Sequence, residues 1–310
     1  MLYDLLFVAA GLVLLVMAGD ALVKGAVNLA LRLGFTPLVV GLTVVAFGTS
    51  APELLVSVKA VLTGAPGIAI GNVVGSNTAN ILLVLGVPAL IATIHTAGSD
   101  TRRSYLSMLA ASVLFIVLCL LGPVTWWHGL ILLAGLTLML IDAYRNGREE
   151  EAEGELEGVD PGMGRGRIAI YLVAGLIGLP LGADLLVRGA SSIARDMGVS
   201  ETVIGLTLVA VGTSLPELAT TLIAALRREA DVALGNIIGS NMFNLLGIIG
   251  VAGLVGTIPI DPEILRFDLW IMLAASVLLA PFVFRGWTVS RPWGAGLTAL
   301  YAGYVAILLI

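Results

Sequence analysis

Charge is scarce in this chain. Only 12% of its 310 residues are Asp, Glu, Lys or Arg, against roughly 25% in soluble domains. A soluble protein of this size is excluded, because it has too little polar surface to cover its apolar residues. Cys119 is the single cysteine, which excludes an internal disulfide and a thiolate metal centre. No basic tract suits a nucleic acid. The net charge of −5 sits mostly in polar connections and says little about partners. His95 and His128 are far apart and are read as interfacial. The first apolar run lacks a basic n-region and an obvious cleavage site, so it is expected to be a true first span rather than a removed leader.

What remains is apolar. Hydrophobic residues make up 58% of the chain and mean hydropathy is +1.05. Runs of spanning length fall at about 3–24, 34–62, 67–95, 104–122 and 126–144. The polar stretch "RNGREEEAEGELEGVDPGMGRGR" follows at 145–167 and reads as a solvated linker. Its acidic run reads as a solvated charge run. Five more runs stand at about 168–188, 200–226, 231–257, 268–285 and 292–310. The expected fold is an all-α polytopic membrane protein of about ten helices. The Trp126–Trp127 pair beside a span end reads as an interface anchor.

The two halves repeat. "GLTVVAFGTSAPEL" at 41–54 matches "GLTLVAVGTSLPEL" at 205–218, and "GNVVGSNTAN" at 71–80 matches "GNIIGSNMFN" at 235–244. The offset is a constant 164 residues. It extends to Asp20 with Asp184 and to Lys24 with Arg188. Such self-similarity marks a duplication. Three units follow: a first repeat at 1–144 (motif region about 41–87), the linker at 145–167, and a second repeat at 168–310 (motif region about 205–251). An odd number of spans per half inverts the second half in the membrane, so a site is expected at the repeat interface near the midplane.

Loop charges orient the chain. With the N-terminus outside, the cytoplasmic segments hold 12 of the 16 basic residues, and Lys59, Arg188, Arg195 and Arg266 lie outside. Positive residues favour the cytoplasm, so both termini are expected outside and the linker inside.

Glu53 and Glu217 carry the chemistry. A carboxylate deep in a span costs several kcal/mol (about 3 or more) unless it meets a cation, a proton or water. The bland alternative is an Arg or Lys partner, but no basic residue lies at the same expected depth. Pro52 and Pro216 are expected to bend their helices and free the carbonyls of Gly48 and Gly212, where glycine permits close approach. Oxygen donors beside a carboxylate suit a hard cation such as Ca2+ or Na+. Thr49 and Thr213 lie one helical turn before the glutamates and either face the site or bond back to their own helix. Ser76, Asn77 and Asn80 align with Ser240, Asn241 and Asn244 and either line a cavity or join helices. Asp20–Lys24 and Asp184–Arg188 read as local ion pairs near helix ends.

At GTSAPE, GNVVGSN, GTSLPE and GNIIGSN the sequence resembles the sodium/calcium exchanger group of the cation/Ca2+ exchanger superfamily, and looks like one of its short prokaryotic members. The resemblance covers essentially the whole chain. It implies Ca2+ extrusion driven by Na+ or H+ through alternating access in the cell's inner (plasma) membrane, with the first and sixth spans sliding past the rest. Matched position by position, it makes Glu53 and Glu217 the principal Ca2+ ligands. Thr49 and Thr213 add oxygens. Ser76, Ser240 and the carbonyls of Ala46 and Ala210 line flanking Na+ sites, and Asn80 and Asn244 complete the centre. Sodium-coupled members often carry aspartate where this chain has Asn244. The central quartet therefore holds two carboxylates, which balance one Ca2+, two Na+ or two protons.

The functional expectation is a Ca2+ antiporter coupled to Na+, with H+ coupling as the alternative and a passive cation channel as a further one. An intramembrane enzyme lacks support, since no histidine, cysteine or nucleophile motif accompanies the glutamates. No cofactor and no nucleic acid are expected. The partners are the transported ions and the lipid bilayer, and a monomer is compatible with the sequence.

Overall fold

Lipid offers a backbone nothing to bond with, so an apolar chain must satisfy its amides internally. This chain does so with helices. The computed structural model describes residues 2–95, 101–146, 162–198 and 210–308. Among the described residues the only non-helical pairings are two isolated antiparallel bridges, Ile94 with Val289 and Val124 with Ile258. The acidic run of the linker and the start of the second motif region, 205–209, lie outside the described residues.

In chain order the helices are α1 (Leu2–Leu33), α2 (Pro37–Thr49), α3 (Ala51–Leu62), α4 (Pro66–Ile91), α5 (Arg102–Leu120), α6 (Trp126–Asn146), α7 (Arg165–Asp196), α8 (Ala210–Thr213), α9 (Leu215–Leu226), α10 (Ala230–Val255), α11 (Ile264–Arg285) and α12 (Arg291–Leu308). Seven of them are long and apolar enough to cross a membrane, or eight if the bent pair α2 and α3 forms one span. At the other two expected positions, the span at 200–226 is described only in its second part, α8 and α9, and the last is the 18-residue α12.

The first span differs from its expected limits. It does not stop near residue 24 but continues to Leu33, and α7 likewise continues to Asp196. Polar residues do not end α1, because they bond within it. Lys24 pairs with Asp20 at 2.9 Å, and Asn28 donates to the Lys24 carbonyl at 2.9 Å. The stop is Gly34, at φ +69°, where the Gly34 and Phe35 amides bond back to the carbonyls of Leu31 and Ala30. Asp20 and Asp184 therefore stand well inside helices, not at their ends.

α1 and α7 run antiparallel at backbone contact. A Cβ on Gly11 would lie 2.6 Å from the Leu186 nitrogen, and one on Gly175 would lie 2.5 Å from the Leu22 Cβ. These two equivalent helices of the two halves thus point in opposite directions. α10 presses equally closely on α2, where a Cβ on Gly239 would sit 2.5 Å from the Leu42 carbonyl oxygen. The two helices bearing the GN motifs form the centre of the bundle. Within their apolar windows 72% of α4 and 89% of α10 is buried, against 22–44% for the other long helices. The main core gathers around them, with Ile81, Leu85, Tyr105, Phe115, Leu132 and Phe282 fully enclosed.

The repeats are packed unequally. Val23 and Val27 of α1 cover Ile223 and Ala224 of α9. α3, the counterpart of α9, leaves Leu55 and Leu62 about 70% exposed. Arg227 at the end of α9 also reaches Asp20 of α1, donating from Nε at 2.7 Å and from a terminal nitrogen as well.

Candidate cation site

Each duplicated motif makes a helix, a break and a second helix. α2 ends at Thr49, Ser50 departs from helical geometry (φ −84°, ψ 4°), and α3 leaves at 44°. Ser214, at φ −88° and ψ 3°, breaks the second motif before α9. Pro52 and Pro216 do not sit in a helix interior as expected. They occupy the first turn of the new helix, where a missing N–H costs nothing. The glycines also serve differently. A Cβ on Gly48 would collide with the Leu176 side chain and one on Gly212 with Val187, so both admit α7 rather than an ion.

Breaking the helix here places Glu53 in the first turn of α3 and Glu217 in the first turn of α9. The positive end of a helix dipole stabilises a carboxylate by about 0.3–1 kcal/mol. Both glutamates are 1% exposed. Neither has an ion-pair partner among the described residues.

The two breaks interlock. Ser50 donates to Glu217 Oε1 at 3.1 Å, across the repeats. Thr49 Oγ1 lies 3.2 Å from Asn236 Oδ1 and 3.3 Å from the Ala46 carbonyl, sharing one proton between them. Asn236 donates to the Glu217 carbonyl at 3.4 Å and to Thr221 Oγ1 at 3.1 Å. Asn72 repeats this bond for bond, donating to the Glu53 carbonyl at 3.4 Å and to Ser57 Oγ at 3.1 Å. Each asparagine thereby ties its central helix to the start of the broken one.

Asn80 and Asn244, both fully buried, lie in π-helical turns at Asn80–Val84 and Phe243–Ile248. Such turns favour functional positions because they re-aim side chains. Asn80 donates to Asn241 Oδ1 at 3.0 Å, and Asn77 donates to the Asn241 carbonyl at 3.1 Å. Ser76 and Ser240 are buried on α4 and α10. Thr213 is half-buried at the end of α8 and has a partner of its own, while Ala210 begins that short helix.

The structure therefore gathers Glu53, Glu217, Thr49, Asn80, Asn244, Ser76 and Ser240 into one buried region. Four further participants are not singled out by sequence reasoning. Ser50 and Ser214 stand inside the GTS motifs, and Asn72 and Asn236 inside the GN motifs. Their exact repetition at the same offset is the signal that marks them.

Electrostatics gives the site its meaning. Two buried carboxylates without a basic partner cost several kcal/mol (about 3 or more) unless a cation compensates them. Buried oxygens lacking a hydrogen-bond partner include Oε2 of both glutamates, Oδ1 of Asn80 and Asn244, and Oγ of Ser214 and Ser240. Carboxylate, amide and hydroxyl oxygens form the hard donor set that Ca2+ and Na+ prefer. Among the described residues no cluster of three or more His, Cys, Asp or Glu exists, so softer transition metals have no site of that kind.

Comparison with known proteins agrees with this chemistry. A family model described as "Sodium/calcium exchanger protein" matches residues 3–141 and 167–310. The chain is 35% identical over 348 residues to "Sodium/calcium exchanger MaX1" of Methanosarcina acetivorans, covering 98% of each chain. It is 34% identical over 300 residues to "Inner membrane protein YrbG" of Escherichia coli, covering 94% of this chain and 91% of that protein. Among solved structures it superposes on the sodium-calcium exchanger NCX_Mj, soaked without Na+ and Ca2+, with a TM-score of 0.86 and 34% identity over 99% of both chains. Two interlocked breaks, each carrying a buried glutamate, thus stand in a chain that belongs to the sodium/calcium exchanger family of membrane cation antiporters.

Proposed function

We propose that the protein exports Ca2+ in exchange for Na+ by alternating access around the Glu53/Glu217 site. The observation that carries this is the pair of buried carboxylates, one from each repeat, uncompensated by any basic side chain among the described residues and surrounded by neutral oxygens. Glu53 and Glu217 bind Ca2+ directly. Asn80 and Asn244 supply amide oxygens and Thr49 and Thr213 supply further oxygens. Ser76, Ser240 and the carbonyls of Ala46 and Ala210 serve flanking Na+ positions. The repeats at 1–144 and 168–310 form two inverted five-helix halves joined by a cytoplasmic linker at 145–167. Both termini face outward from the inner membrane.

Charge balance frames the coupling. Two carboxylates are neutralised equally by one Ca2+, two Na+ or two protons. The hydroxyls of Thr49, Ser50, Ser76 and Ser240 favour Na+, since a proton needs no such oxygens. The relatives whose printed names couple sodium with calcium lend the same support. Ca2+ uptake into vesicles is expected under an outward Na+ gradient and not under a pH gradient in strict absence of Na+. Uptake driven by pH alone overturns Na+ coupling in favour of H+.

The unequal packing supports a state with one side closed. α1 covers α9, and Asp20 and Arg227 fasten it there. The position equivalent to Arg227 in the first repeat is Thr63, which offers no such fastening. Alternating access requires α1 to slide off α9 and so to break the ion pair. A partly exposed pair is worth about 0.2–1 kcal/mol. Arg227→Gln is therefore expected to change the ratio of apparent Ca2+ affinities at the two membrane faces by about 1.4- to fivefold. The apparent affinity falls at the membrane face to which the state holding the Asp20–Arg227 pair gives access. Oriented vesicles measure both affinities, and an unaltered ratio contradicts this role.

A further inference from the structure

The repeat relation makes a bond in one half a template for the other. Asn80 matches Asn244, and Asn241 matches Asn77, at the same 164-residue offset. In one direction the bond exists: Asn80 Nδ2 donates to Asn241 Oδ1 at 3.0 Å. The matching bond would run from Asn244 Nδ2 to Asn77 Oδ1. Both of those atoms are buried without a partner, on side chains 0% and 1% exposed.

The orientation of Asn77 is fixed. Its Nδ2 faces the Asn241 carbonyl at 3.1 Å. A carbonyl cannot donate, so the nitrogen must occupy that position, and Oδ1 is the atom left over. Asn244 has the complementary deficit, with neither end of its amide bonded. A cation can satisfy Oδ1 of Asn244 but never its NH2. A buried unsatisfied donor is costly, so a bound cation leaves half of this side chain in need of an acceptor. Asn77 Oδ1 is the acceptor that the repeat relation assigns.

We propose that Asn77 is a positioning residue for the transported cation: it accepts from Asn244 Nδ2 and thereby turns Asn244 Oδ1 toward the ion, as Asn241 already does for Asn80. The proposal rests on the cation-antiport function above and extends it to a residue on the flank of the site. It also gives asparagine at 244 a specific consequence. An aspartate there has no N–H to donate, so it has no use for Asn77.

A double-mutant cycle tests this, with Ca2+ binding to purified protein and Ca2+ exchange in proteoliposomes measured together. Asn77→Ala is expected to raise half-saturating Ca2+ about three- to tenfold, the range of one buried hydrogen bond, with the maximal rate little changed. In the Asn244→Asp background the same substitution is expected to change it less than about twofold, because the coupled group is gone. Equal losses in both backgrounds overturn the proposal, since Asn77 then acts only through its bond to the Asn241 carbonyl. No loss in the wild-type background overturns it as well. If Asn77→Ala does not fold, Asn77→Ser carries the same cycle, read in the same way. Wild-type protein that neither binds nor exchanges Ca2+ defeats the proposed function itself, an outcome distinct from a failed cycle.

Discussion

Glu217→Gln is expected to abolish Ca2+ exchange, lowering it at least about a hundredfold at a given Ca2+ concentration, and Glu53→Gln should do the same. Glutamine preserves shape but replaces one oxygen by NH2, so the negative charge is lost together with one cation-binding oxygen. Removing one partner from a buried charge pair typically costs 3–5 kcal/mol, which is about two to three and a half orders of magnitude in affinity. The effect on folding should run the other way. Without Ca2+ or Na+, Glu217 is a buried carboxylate to which Ser50 donates at 3.1 Å. Neutralising it removes an uncompensated charge, so the variant without ions should melt no lower than wild type. Its stabilisation by added Ca2+ should vanish, because that stabilisation is binding energy. Thermal melting with and without Ca2+ checks both. A Glu217→Gln protein that keeps its Ca2+ stabilisation would place the cation elsewhere.

The second large effect is steric. Gly239→Val is expected to cost about 3 kcal/mol or more in stability and to reduce transport at least about tenfold. A Cβ there stands 2.5 Å from the Leu42 carbonyl oxygen and 2.7 Å from the Ala46 Cβ. A backbone carbonyl cannot swing aside as a flexible side chain can, so α10 must move away from α2. That motion carries Ser240, Asn241 and Asn244 with it, out of register with Thr49 and Glu53. Gly303→Val is the control: nothing lies within 4 Å of a Cβ there, and it should be tolerated. Comparable damage from both substitutions would show that the loss at Gly239 is not local to the α2–α10 contact.

The duplication, the two glutamates and the GSN asparagines are legible in the sequence, because each is a chemical oddity in an apolar chain and each occurs twice. Other features depend on geometry that periodicity does not carry. Pro52 reads as an interior helix-breaker because the apolar run continues through it. Only the conformation of Ser50 reveals that a new helix begins there, with proline in its first turn. Gly48 reads as a point of close approach for another backbone or an ion, and what approaches is the Leu176 side chain from a helix more than a hundred residues away. Ser50, Asn72 and Asn236 stay hidden for a related reason. They act by bonding across helices, and a one-dimensional pattern does not say which helix a side chain meets. Asp20 reads as a helix-end residue because charge usually lies there. Inside α1 it is satisfied by Lys24 of its own helix and Arg227 of the opposite repeat.

In the proposed function, one buried site shared by Glu53 and Glu217 is offered to the two sides of the membrane in turn. Release of labelled Ca2+ from proteoliposomes, with and without unlabelled Ca2+ outside and with no Na+ or pH gradient, tests it most directly. An alternating site predicts that external Ca2+ accelerates release, because a loaded carrier returns, and that Glu217→Gln shows neither release nor acceleration. Release that ignores external Ca2+, as through an open pore, or that persists in Glu217→Gln, would contradict it.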